Sequence, residues 1–164
     1  MIGLTPLGII HTTLGLIAVV AGIISFFRYK AISSATRVGK LYIAMTILTC
    51  LTGFGIFQRG GFNIAHVLGI VTLVVLAIAG YAHLFGRAAK YVATVSYSAT
   101  FFFHMIPGVT ETFTRVPTGA PLFANPDDPN LQKTISVLFV VFLACAFFQV
   151  RRLRGQRVSS TALS

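Results

Sequence analysis

PLGIIHTTLGLIAVVAGIISFF, residues 6–27, runs without one charged side chain and decides the fold class. A bilayer crossing needs roughly twenty mostly apolar residues in a helix, and this run meets that length. Pro6 opens it at a position where a missing N–H costs nothing. Its charges come afterwards, at Arg28 and Lys30. With no basic segment ahead of it, the run predicts a retained span and not a secretory signal.

The rest of the 164 residues carries the same signature. Some 55% are apolar and only 10% charged, with a mean hydropathy of +0.85. A soluble domain has roughly a quarter charged residues. Glu111, Asp127 and Asp128 are the whole acidic set, and the formal net charge is +10. Such a charge would suit nucleic acid if it formed one basic surface. Here the basic residues lie between apolar runs, which excludes that class. Cys50 and Cys145 both fall inside apolar runs without a ligand-spaced partner, so they are expected to be structural.

Further apolar runs predict an all-α integral membrane bundle of about five spans in one domain, near 6–27, 40–57, 63–84, 91–110 and 129–150. A proline-rich outer segment, 112–130, is either a lid or a solvated connection. Asp128 before Pro129 has the form of a helix cap and first helical residue. Arg28, Lys30, Arg37 and Lys40, then Arg87 and Lys90, then Arg151, Arg152, Arg154 and Arg157 fall on one side of such a bundle. Only Arg59, Arg115 and Lys133 fall on the other. Basic residues accumulate in the cytoplasm, so the N-terminus is expected outside and the C-terminus inside. The basic loops would meet anionic lipid headgroups.

Helix faces follow from spacing. Gly8, Gly15 and Gly22, with Ala18 and Ser25 at the alternate positions, make one smooth face that allows close helix approach. His11 shares it. In the fourth span Ala93, Tyr97, Thr100, His104, Gly108 and Glu111 form a polar stripe at helical intervals. Lipid cannot satisfy such groups, so the stripe should face protein. Tyr42, Thr46, Thr49 and Gly53 form a milder stripe in the second span. The fifth span has no comparable face and should be peripheral.

Threading direction then places His11 roughly 8 Å, His66 about 4–5 Å and His104 roughly 9 Å below the outer end. Glu111 sits at that end. Imidazoles and a carboxylate are suitable ligands for iron, copper or zinc. His11, His66 and His104, with Glu111 as a fourth ligand or proton acceptor, are therefore the expected site, for a metal or for haem beside the glycine face. The alternatives are a proton or ion pathway and a non-enzymatic bundle that assembles with a second copy or another membrane protein. His83 belongs to the inner interface.

One stretch carries a resemblance. His11, then Thr36-Arg37-Val38-Gly39-Lys40-Leu41-Tyr42 opening the second span, and Thr52-Gly53 beyond it, resemble small bacterial multi-pass membrane proteins of unknown function. The likeness covers the first half of the chain. Thr36 stands where those proteins often carry His. The resemblance implies a bacterial inner-membrane location and no particular activity.

Overall fold

The computed structural model describes residues 5–57, 61–117 and 119–161, the last five by backbone alone. Arg59 and the Arg157 side chain lie outside the described residues. Every regular element described is helical: α1 (Pro6–Tyr29), α2 (Arg37–Gly53), α3 (Ile64–Gly80), α4 (Ala89–Phe113) and α5 (Pro129–Thr161), with a 3-10 segment at Ala82–Ala88.

Caps set most of the boundaries. The Thr5 hydroxyl accepts from the Gly8 N–H at 3.1 Å and Pro6 fills the first turn. At the far end Lys30 turns left-handed (φ 65°) and returns its N–H to the Phe26 carbonyl. α2 starts three residues ahead of the expected Lys40 because Thr36 caps it, accepting from the Gly39 N–H at 3.0 Å. Gly39 is obligatory there: a Cβ would sit 1.9 Å from the Ser33 carbonyl oxygen. The Thr36–Gly39 part of the resemblance motif is thus a capping device. α2 also ends early, at Gly53, where Phe54 and Gly55 turn back on Cys50 and Thr52.

α3 is shorter than the expected 63–84, since Asn63 is its cap and the chain tightens into the 3-10 segment after Tyr81. Gly86, at φ 51°, breaks the run, and the axis bends by 61° between Ile64–Gly80 and Ala82–Phe113. α4 continues through Pro107 without a break. α5 overruns its expected end at 150 because helix continues into the basic segment, which water solvates as readily as loop.

The contacts between helices fix their directions. Gly15 faces Thr49, Gly22 faces Tyr42 and Gly53 faces His11, so α1 and α2 run antiparallel. Tyr42 bonds Thr100 and Thr46 bonds His104, a constant offset of 58 residues, so α2 and α4 run parallel. α3 begins beside the end of α2, with Phe57 on His66, and α5 runs back along α4, with Ser98 on Gln149. Direction therefore alternates along the chain. Among the helices α5 packs against α4 alone, the peripheral position expected of it.

The side chains are arranged inside out. Tyr42, Thr46, Thr100 and Ser25 are fully buried, while Leu16, Val20, Phe27, Val74, Val140 and Phe148 face outward. Water would penalise that exchange; hydrocarbon favours it. Pro6–Tyr29 and Pro129–Gln156 are long and apolar enough to cross a membrane, and the bent α3–α4 pair is a third candidate. α2, with 17 residues, spans ~26 Å at ~1.5 Å per residue, a little under the ~30 Å hydrocarbon core.

Candidate functional site

The polar stripes of α2 and α4 meet in the bundle centre, and hydroxyl geometry assigns their protons. The Thr46 hydroxyl donates to the Tyr42 carbonyl of its own helix at 2.8 Å. Its oxygen is then left to accept, and His104 Nε2 lies 3.1 Å away. Neutral His104 therefore carries its proton on Nε2 and keeps the Nδ1 lone pair. Thr100 likewise donates to the Tyr97 carbonyl, so the Tyr42 hydroxyl donates to Thr100 at 2.9 Å. The edge of Tyr42 also meets the His104 ring, with centroids 6.1 Å apart.

His11 is fixed in the opposite sense. Its Nδ1 lies 3.0 Å from the Thr49 carbonyl, which only accepts, and 3.2 Å from the Thr52 hydroxyl. That hydroxyl already donates to the carbonyls of Leu48 and Thr49. Neutral His11 thus carries its proton on Nδ1 and exposes the Nε2 lone pair. Gly53 makes room for the ring: a Cβ there would stand 3.1 Å from His11 Cε1. Thr49 and Thr46, three residues apart on α2, thus hold His11 and His104 at neighbouring turns of one helix. Glu111 itself pairs with Arg115 one turn on.

His66 does a different job. Its Nδ1 accepts the Asn63 N–H at 3.3 Å while Asn63 caps the start of α3 in return. Phe57 and Phe62 stack on the ring at 5.1 and 5.2 Å. With Nδ1 accepting, the neutral ring's proton is on Nε2, which is buried and has no partner among the described residues. Both nitrogens are therefore unsuited to a metal in this arrangement.

The expected set of His11, His66, His104 and Glu111 is not assembled. Among the described residues no group of three or more His, Cys, Asp or Glu side chains is placed to hold a metal ion. Two histidines and a nearby carboxylate remain. Nor does the glycine face leave a slot for a macrocycle. The Phe101 ring comes within 2.5 Å of where a Gly22 Cβ would be, with Tyr42 at 3.3 Å, and Thr49 packs on Gly15. Haem does not fit between these packed faces.

At the opposite end of the bundle lies a polar link that the stripes do not foretell. Ser98 donates to Gln149 Oε1 at 2.9 Å, and Gln149 Nε2 donates to the Lys30 carbonyl at 3.1 Å. One buried amide thus ties α4, α5 and the end of α1 together. The signal for it is a lone Gln within the apolar run 137–150 of α5. His83 is exposed beside Tyr81, and Cys50 and Cys145 are both free thiols.

Comparison with protein-family models, curated proteins and solved structures gives no match to this chain.

Proposed function

We propose that the chain is a five-span bacterial inner-membrane protein, N-terminus outside, whose His11–His104 pair takes up and releases protons at the outer side. The observation that carries this reading is the pair of imidazole bonds to α2, His11 Nδ1 to the Thr49 carbonyl and His104 Nε2 to the Thr46 hydroxyl, which leave His11 Nε2 and His104 Nδ1 without a hydrogen bond among the described residues. Intramembrane ionisable groups of this kind are functional by default. Alternating helix directions support the five crossings, and the ten basic residues gathered at the other end support the orientation.

A proton arriving from outside lands on a ring nitrogen, and Glu111 offsets the imidazolium charge that forms on His11. The proton goes no further inward. Thr46 and Thr100 give their hydrogens to backbone carbonyls, and a carbonyl cannot relay a proton. The bundle is thus a one-sided proton-binding component and not a channel. In liposomes, infrared difference spectra should show imidazole protonation when the outer pH alone is stepped, and His11→Phe with His104→Phe should abolish the bands. A transmembrane proton current, or unchanged bands in the double variant, contradicts the reading.

A second reading has one observation in its favour. The His11 Nδ1–H bond to the Thr49 carbonyl is the outer contact that orients a metal-ligating imidazole. In that reading His11 Nε2 and His104 Nδ1 hold an iron, copper or zinc ion, and Glu111 moves in as third ligand. Metal content of the purified protein, compared with His11→Ala, decides between the two.

A further inference from the structure

The basic end of the bundle holds a cleft of about 140 Å³ between the end of α1, α4 and the last turns of α5, room for several waters at ~30 Å³ each. Lys30 and Arg152 supply its charge, and Tyr29, Thr94, Gln149 and Gln156 its hydrogen-bonding groups. We propose that this cleft binds a phosphate ester, and that the ester is the headgroup of an anionic phospholipid of the cytoplasmic leaflet.

Charge bookkeeping makes the first part of the case. The chain has three acidic side chains, all placed at the opposite end: Glu111 late in α4, and Asp127 and Asp128 just ahead of α5. Lys30 and Arg152 therefore have no carboxylate at their own end among the described residues, and cations that flank them in sequence only add to their field: Arg28, which lies over the Tyr29 ring, and Arg151, which lies over Phe147. Both residues are exposed, so an anion from outside the chain can reach and neutralise them. Each Lys or Arg near an anionic leaflet contributes to such attraction.

The cleft is also built and not a chance gap between loops. Gln149 is buried, and its amide holds the Lys30 carbonyl while Ser98 holds the amide. Lys30 sits in the left-handed cap that ends α1, so the backbone that bears it is fixed from three helices. The wall favours lipid over a soluble ester. Phe27, Phe147 and Phe148 expose their rings in the adjoining turns, where acyl chains would lie once the headgroup is seated.

Native mass spectrometry of the full chain in micelles tests this, with phosphatidylglycerol and phosphatidylcholine added in parallel. Wild-type protein should retain phosphatidylglycerol preferentially. Lys30→Gln with Arg152→Gln should weaken that retention about tenfold or more, the charge-keeping pair Lys30→Arg with Arg152→Lys should restore most of it, and Lys133→Gln at the other end should leave it unchanged. Inorganic phosphate that displaces the lipid and itself stabilises wild type, but not the Gln pair, keeps the phosphate site and makes its source soluble. Equal retention of the two lipids, or full retention by a folded Gln pair, overturns the proposal. If the Gln pair fails to fold, the wild-type comparison of the two lipids decides alone.

Discussion

His104 Nε2 lies 3.1 Å from the Thr46 hydroxyl, whose own hydrogen already goes to the Tyr42 carbonyl. Thr46 therefore has no freedom to donate to the ring, and the ring must donate to it. Thr46→Val keeps the shape and removes the acceptor. Leaving a buried donor unsatisfied costs about 1–3 kcal/mol, and hydrogen bonds between membrane helices lie towards the lower end of that range. Unfolding in mixed micelles should show a loss of about 1 kcal/mol. His104→Phe in the Thr46→Val background should cost less than in wild type, because the two residues share one bond.

The close approach of α1 to its neighbours depends on Gly22. A Cβ there would fall 2.5 Å from Phe101 and 3.3 Å from Tyr42. Phe101 is already held edge-on by Phe26 at 5.1 Å, so its ring has little room to yield. Gly22→Ala should cost about 1–3 kcal/mol, the usual penalty of overpacking. Gly80→Ala, where a Cβ would meet nothing within 4 Å, should leave the unfolding midpoint unchanged or slightly raised. Thermal unfolding of the two variants side by side checks this.

Asp128 links the outer segment to α5. Its carboxylate accepts from the N–H groups of Asn130 at 2.8 Å and Ala124 at 3.2 Å. These bonds favour the charged form and hold its pKa below the ordinary 3.8. A depressed folded pKa adds stability that is whole above the unfolded value and is lost as pH falls through the folded one. The start of α5 should therefore loosen in acid below about pH 4. Hydrogen exchange at Asn130 and Leu131 should show that acid limb in wild type, and Asp128→Asn should flatten it.

Much of this architecture was legible from spacing alone. The smooth α1 face, the Tyr42–Thr46–Thr49 face and the Tyr97–Thr100–His104 stripe all turn inward, because lipid forces hydroxyls and imidazoles to find partners inside the bundle. The Asp128–Pro129 start of α5 follows from local cap chemistry in the same way. His66 has a local role that its depth does not reveal. Depth along a helix places an imidazole at a level but does not say that Asn63 will use it as a cap, or that Phe57 and Phe62 will enclose it. Gln149 was missed because a single polar residue has no period. Helix ends shifted where caps and the Gly86 turn overrode hydropathy.

Threading is tested apart from chemistry. Alkaline phosphatase fused after Gly155 should be inactive and a fluorescent protein fused there bright, with the reverse after Asp127. Phosphatase activity after Gly155 would remove the cytoplasmic C-terminus and with it the outward placement of the histidine pair.

The protonation state of the two rings is the most direct measurement of all. Nitrogen-15 solid-state NMR of histidine-labelled protein in bilayers, assigned with His11→Phe and His104→Phe, reads which ring nitrogen bears hydrogen. The neutral rings should show opposite tautomers, hydrogen on Nδ1 of His11 and on Nε2 of His104, both converting to imidazolium when the outer side is acidified. Identical tautomers, or rings indifferent to outer pH, would contradict the account.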